Sequence, residues 1–213
     1  MNAHVFGPEQ FQAATHVSRE TLDRLRLYAE ILLRWQSRLN LVAESTVPEL
    51  WHRHFFDSAQ LVDLAPAEAR RWADLGSGAG FPGLVIAILK EGNAGFEMHL
   101  TERIARKAEF LREVIRETKA PAEVHFGRIE AFKPLEAEVV TARACAPLAR
   151  LLEYYQRHSV PAGLALFAKG RNVVEELTHA EADWTLDAEL IPSRTGGGGQ
   201  ILRVRSAQRR PNG

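Results

Sequence analysis

The chain has 213 residues, 27 basic and 27 acidic side chains and a single cysteine. That length buries a core without disulfide staples, and one cysteine excludes an internal disulfide and a cysteine-only metal centre. The balanced charge argues against a nonspecific nucleic-acid binder with a broad basic surface, and no apolar run approaches the roughly 20 residues that cross a bilayer. The start, Met1 to Pro8, carries neither a basic region nor an apolar signal stretch, so the expected location is the cytoplasm.

Residues Ser18 to Arg38 put Leu22, Leu25, Ala29, Leu32 and Leu33 on one side of a helix, with Ser18 as its N-cap. A connection at Asn40 to Ala43 leads to a second helix over Val47 to Leu64, and Ala65-Pro66 closes this helical leader. The chain is therefore divided into a helical N-terminal extension, 1–65, and an α/β domain, 66–213. From Arg71 onward strands and helices alternate, the pattern of βαβ units around a parallel sheet covered on both faces. Strands are expected at Arg71 to Leu75, Phe96 to Thr101, Glu123 to Phe126, Val139 to Ala142 and Gly163 to Ala168. Helices are expected at Pro82 to Glu91, Ile104 to Lys119, Leu148 to His158 and Asn172 to Asp183, the second with Ile104, Ala108, Leu111 and Ile115 on its apolar face. Thr185 to Ile191 and Gln200 to Arg205 then close the chain as an antiparallel pair, joined by a loop that contains Gly196 to Gly199. Cys145 reads as a small buried residue.

The stretch Asp74-Leu75-Gly76-Ser77-Gly78-Ala79-Gly80-Phe81-Pro82-Gly83 places a glycine-rich turn between a strand and a helix start, the layout of a nucleotide-cofactor site. Two cofactors compete for it. Gly78-x-Gly80-x-x-Gly83 matches the dinucleotide fingerprint, with Glu102 at a suitable distance to grip a ribose. Asp74 followed by Gly76-x-Gly78-x-Gly80 instead resembles the loop of S-adenosylmethionine (SAM)-dependent methyltransferases. In an open parallel sheet ligands lie beyond the carboxyl ends of the strands, where Gly76 to Gly80, Glu102, Gly127 to Glu130 and Arg143 all fall. Glu102 suits both ribose hydroxyls because a carboxylate only accepts, and it competes with a role as N-cap of the next helix. Arg128, Ile129 and Glu130 would border the adenine; otherwise they form a short surface helix.

Six motifs occur in order: Trp35-x-x-x-x-Asn40-Leu41, Arg53-His54-Phe55-Phe56-Asp57-Ser58, the Asp74 to Gly83 loop, Gly127-Arg128-Ile129-Glu130, Arg143-Ala144 and Lys169-Gly170. As a set they resemble the bacterial guanine-N7 methyltransferase family of small-subunit ribosomal RNA, also called glucose-inhibited division protein B. The resemblance implies a Rossmann-like class I methyltransferase fold, with about seven strands and helices on both faces. It also implies SAM as methyl donor and one guanine of the 16S RNA, presented as RNA or as a 30S particle, as acceptor. It puts Gly76, Phe81, Ile129, Glu130 and Arg143 against the cofactor, Phe81 standing where an aliphatic residue is common. Arg53 and His54 become part of a helical cap over the crevice.

Guanine N7 presents a free lone pair on the major-groove edge, so its methylation requires no general base. The sequence agrees: Thr141 to Pro147 replaces the Asn/Asp-Pro-Pro-aromatic motif of exocyclic-amine methyltransferases, and a two-cysteine covalent route is excluded. Arg143 is assigned to positioning. Lys169 and Arg171, with Arg53 and His54, are the expected RNA contacts. His52, His54 and Asp57 offer metal-ligand types, but helical residues two apart diverge, and no metal site is expected. Two other readings stay open. An NAD-dependent oxidoreductase lacks a Tyr-x-x-x-Lys or His–Asp arrangement here, and a noncatalytic SAM- or RNA-binding module on the same fold carries no signature to exclude it. The expected working unit is a monomer.

Overall fold

A computed structural model describes residues 6–211, so the first five residues of the expected extension and the last two of the expected α/β domain lie outside it. One sheet organises the molecule: β1 (Arg71–Leu75), β2 (Glu97–Glu102), β3 (Ala122–Phe126), β4 (Ala137–Arg143), β5 (Ser159–Lys169), β6 (Trp184–Pro192) and β7 (Gln200–Arg209). Their order is β3-β2-β1-β4-β5-β7-β6, parallel through β5, with β7 antiparallel to both β5 and β6. This is the expected seven-stranded α/β fold with an antiparallel closing pair.

Strand periodicity divides the core into two layers. Trp72, Met98, Leu100 and Val139 face one cluster, which takes in α2 (Arg19–Gln36), α4 (Gly83–Leu89) and α5 (Ala105–Thr118). Ala73, Leu75, Val140 and Phe167 face the other, under α6 (Leu148–His158) and α7 (Val173–Ala180). The N-terminal helices share the first cluster: Leu25, Ile31 and Phe55 are fully buried together with Leu84 and Phe110. Among the described residues no helix is long and apolar enough to cross a membrane.

The leader departs from expectation in three places. A helix the sequence reading does not contain, α1 (Pro8–Thr15), starts with proline at its first position, and the Gln10 side chain accepts from Gly7 N–H at 2.9 Å. Ser18 does cap α2, its Oγ accepting from Thr21 N–H at 3.1 Å, but Leu33 is 46% exposed while Tyr28 and Ile31 take the buried positions. The single helix expected over Val47 to Leu64 is broken into a 3₁₀ segment (Glu44–Glu49), a π-helical turn (Trp51–Phe56), the short α3 (Asp57–Ala59) and another 3₁₀ turn (Val62–Leu64). Pro48 lacks the N–H a regular helix needs. The wide turn brings Trp51 and Phe55 into a stack at 4.5 Å, with Phe11 edge-on to Trp51 and Tyr28 edge-on to Phe55. In α5, Ile104 drops out of the apolar stripe at 43% exposure, and Phe110 and Val114 fill it.

Gly83, at the start of α4, lies so close to β1 and β2 that an added Cβ would sit 2.8 Å from Asp74 Cβ and collide with Leu100 Cδ2. Gly83→Ala is therefore expected to destabilise the chain by about 1–3 kcal/mol through overpacking, read as an earlier urea transition. An unchanged midpoint would refute this close approach.

Candidate active site

The turn after β1 takes left-handed backbone at Gly76 (φ +65°), Gly78 (φ +57°) and Gly80 (φ +88°), which L side chains rarely adopt. A Cβ at Gly76 would strike Cys145 Sγ, and one at Gly80 would lie 2.6 Å from the Tyr28 hydroxyl. The end of β2 satisfies the turn's donors. Gly76 N–H donates to Thr101 Oγ1 and Ser77 N–H to the Thr101 carbonyl, each at 2.9 Å. Gly78 N–H donates to Glu102 Oε2 at 2.9 Å, while Glu102 Oε1 accepts from Ile104 N–H at 2.7 Å. Glu102 thus ties the glycine turn to the entry of α5, and each of its oxygens retains a lone pair.

Beneath the turn lies Asp74, with 0% exposure. Its Oδ1 accepts from Thr141 Oγ1 at 2.8 Å, Oδ2 has no hydrogen-bond partner, and burial pushes its pKa up to about 6. Expected from sequence as a cofactor contact, Asp74 faces neither of the cavities described below: it supports the loop from inside the sheet. Gly80 and Phe81 likewise line neither cavity. Phe81 is buried against Tyr28, Phe55 and His54, because a ring at this position completes the aromatic cluster between leader and sheet.

Two cavities open along the carboxyl ends of the strands. The smaller, about 360 Å³, is lined by Gly76, Gly78, Glu102, Lys107, Gly127, Arg128, Ile129, Glu130 and Tyr154. Tyr154 donates to Glu130 Oε1 at 2.8 Å, and this bond, after one to the backbone, holds the carboxyl below its ordinary pKa. The larger cavity, about 1040 Å³, lies between the leader and the β6–β7 loop and is lined by His52, Arg53, Asp57, Arg143, Lys169, Arg171 and the glycines 196–199. Ala144, Cys145 and Ala146 border both. Cys145 is accordingly half-buried rather than buried in the core, and burial pushes its thiol up to about 11.

Arg143 joins the sheet to the leader. Its guanidinium donates to the Arg53 carbonyl at 3.2 Å and to His54 Nδ1 at 2.7 Å, lies 3.7 Å from Asp57 Oδ2 and sits over the Phe81 ring at 5.0 Å. It lines the larger cavity and not the one bounded by the glycine turn, and it holds the cap to the sheet. Desolvation lowers its pKa, opposed first by Asp57. His54, expected to touch RNA, is only 9% exposed and has both ring nitrogens engaged, Nε2 lying 2.8 Å from Thr46 Oγ1. Lys169 lines the larger cavity with its ammonium paired with Glu176 at 2.6 Å and its side chain 9% exposed. Arg53 and Arg171 are exposed at the larger cavity.

One node escaped the sequence reading. Asp57 Oδ1 accepts from Ser193 Oγ at 2.9 Å and Thr195 Oγ1 at 3.1 Å, while Gln60 Nε2 donates to Asp57 Oδ1 and Ser193 Oγ, each at 2.9 Å. The leader is thereby strapped to the β6–β7 loop. Asp57 stands inside a recognised motif, but nothing local in the sequence points to partners more than 130 positions away.

The chain matches the family described as rRNA small subunit methyltransferase G over residues 21–197. It is 54% identical to the ribosomal RNA small subunit methyltransferase G of Parvibaculum lavamentivorans, covering 94% of this chain and 90% of that one. The protein of the same name from Paramagnetospirillum magneticum is 50% identical, with 95% and 97% covered. Among solved structures, that of M. jannaschii TYW2 in complex with AdoMet superposes with a TM-score of 0.57 at 12% identity, covering 82% of this chain and 80% of the other.

Burial, then the charges of Arg143 and Arg53, push the His54 pKa down to about 3, against 6.5 ordinarily. The unfolded chain therefore binds this proton first, so the contribution of neutral His54 is complete above pH 6.5 and is lost as pH falls toward 3. By pH 4.5 the loss reaches about 2–3 kcal/mol. Urea unfolding at pH 7 and pH 4.5 should show that slope reduced by this amount in His54→Asn; an identical slope in both proteins would show that the ring titrates freely.

Proposed function

The chain belongs to the rRNA small subunit methyltransferase G family, and from that premise we propose that it methylates guanine N7 by direct in-line transfer, SAM occupying the smaller cavity and the guanine the larger. The chain is a SAM-dependent methyltransferase acting on ribosomal RNA. The observation that carries the two-cavity reading is the Ala144–Ala146 segment, which borders both spaces and gives donor and acceptor a common wall.

Within the smaller cavity, Glu102 uses its remaining lone pairs on the ribose hydroxyls. Ile129 lies against the adenine ring, with Arg128 and Glu130 at its edge, and Gly76 and Gly78 leave room for the cofactor's approach. SAM supplies the electrophilic methyl. The N7 lone pair forms the new bond as the methyl–sulfur bond breaks, leaving a neutral thioether and a cationic base. No proton moves in that step, so the absence of a general base is consistent with it. The protein's contribution is alignment, worth on the order of 7–11 kcal/mol when both partners are held in near-attack geometry. Arg143 acts from the acceptor side by holding the cap, with Arg53 and Arg171 on the RNA backbone. Lys169 serves the wall of the larger cavity, and His54 supports Arg143 from behind it.

The proposed working unit is a monomer. The ribosomal substrate supports a cytoplasmic location. Balanced net charge favours the assembled 30S particle over free RNA, since little attraction comes from the protein as a whole.

Calorimetric titration is expected to show SAM binding and no NAD binding. Glu102→Ala should weaken SAM roughly ten- to hundredfold, having lost charge-assisted hydrogen bonds. Arg143→Ala should leave SAM affinity within about threefold while slowing methyl transfer by at least about tenfold. Unchanged SAM affinity in the first variant, or its loss in the second, would reverse the assignment of the cavities. Faster methylation of deproteinised RNA than of 30S particles would overturn the substrate preference.

A further inference from the structure

Away from both cavities, the outermost strand pair gathers a second set of chemistry-bearing side chains. In the β2–β3 register His99 is opposite Glu123, and Thr101 is opposite His125. Paired residues and residues two apart share a face of a sheet, so His99, Glu123 and His125 project together. Nδ1 of His99 lies 3.0 Å from Nε2 of His125, and one ligand atom from each of the three residues falls within 4.8 Å of the others. Nitrogens bound to one tetrahedral zinc at the usual bond length stand about 3.3 Å apart, close to the spacing already present.

The surroundings favour a cation over a simple histidine–histidine hydrogen bond. Nε2 of His99 is enclosed without a hydrogen-bond partner, and the nearest carboxylate oxygen, Glu97 Oε2, is 3.7 Å away. With a cation on Nδ1 the proton resides on Nε2, and a side-chain adjustment of the exposed Glu97 would close the 3.7 Å gap to the carboxylate–histidine–metal arrangement that fixes the tautomer and raises ligand basicity. Arg71, the nearby positive charge, is paired with Glu97 at 3.2 Å and with Glu136 at 3.8 Å. Glu123 is exposed and gives the site an opening to solvent.

We propose that His99, Glu123 and His125 form a binding site for a zinc-class divalent cation, with Glu97 orienting His99. Two imidazoles and one carboxylate match the borderline softness of that class. The site clamps edge strand β3 to β2 just before β3 delivers Gly127 to Glu130 to the smaller cavity. His125 also lies 5.7 Å from the ring of Phe132, which packs 3.3 Å from where a Cβ of Gly127 would be. The sequence reading assigns no metal, and it misses this set because the two histidines are 26 positions apart and meet only through strand register.

The test is titration of the tag-free, chelator-treated full chain with zinc sulfate, followed by calorimetry, together with the visible spectrum of the same chain loaded with cobalt(II). The expected result is saturation at one zinc per chain, a raised melting temperature and the intense absorption of four-coordinate cobalt. His125→Asn and Glu123→Gln should each weaken zinc by more than about tenfold, and Glu97→Gln by roughly ten- to hundredfold, as loss of an outer-shell partner does. Substoichiometric zinc binding, or full affinity retained in folded His125→Asn, would overturn the site. A cobalt spectrum of octahedral type in the unsubstituted chain would do so independently of any variant.

Discussion

The structure depends on satisfying the backbone donors of a turn that has no side chains of its own to do so. Three left-handed glycines at the end of β1 hold the chain close to the sheet; Gly80 N–H bonds the Ser77 carbonyl within the turn, but the N–H groups of Gly76, Ser77 and Gly78 require acceptors from elsewhere. Thr101 and Glu102 supply them from the adjoining strand. The same carboxylate reaches the entry of α5, so one residue sets the relation between turn, strand and helix and leaves the floor of the smaller cavity as its by-product. Asp74 acts from below. Burial raises its pKa to about 6, and the Thr141 hydroxyl bonds it from the neighbouring strand.

A second organising contact lies at the end of β4. Arg143 is planar and carries five donors, so it can bond the Arg53 carbonyl and the His54 ring at once while facing Asp57 and covering Phe81. A lysine has no comparable fork. The leader is consequently held by directional bonds in addition to the apolar packing of Phe55 and Tyr28, and its irregular π-helical stretch presents the carbonyl and the ring nitrogen that the guanidinium meets.

Periodicity made the sheet legible, because parallel strands buried on both faces read as apolar runs and the intervening helices carry a clear stripe. The glycine turn was legible for a related reason, since alternating glycines have few uses besides left-handed backbone next to a ligand. What could not be read is which way a residue faces once the chain leaves regular structure. Asp74, Phe81 and His54 occur in recognisable motifs, yet each is turned inward by a partner remote in sequence: Thr141, Tyr28 and Arg143. The break in the leader was hidden by apolar spacing that fits a regular helix, although Pro48 and the aromatic run from Trp51 to Phe56 contain its physical cause. Strand register, which pairs His99 with Glu123, leaves no local trace at all.

The strap at Asp57 has a geometric consequence. The leader and the β6–β7 loop form opposite lips of the larger cavity, and Asp57, with Gln60 and Asp63, ties them together through Ser193, Arg194 and Thr195. The mouth is therefore a calibrated slot. A base stacked within a helix brings its neighbours and its backbone with it, whereas a single base turned out of the stack presents a flat edge. Selection by such an aperture depends on how a nucleotide is displayed more than on what surrounds it in sequence, and a protein with no net charge can then discriminate among the many guanines of a large RNA.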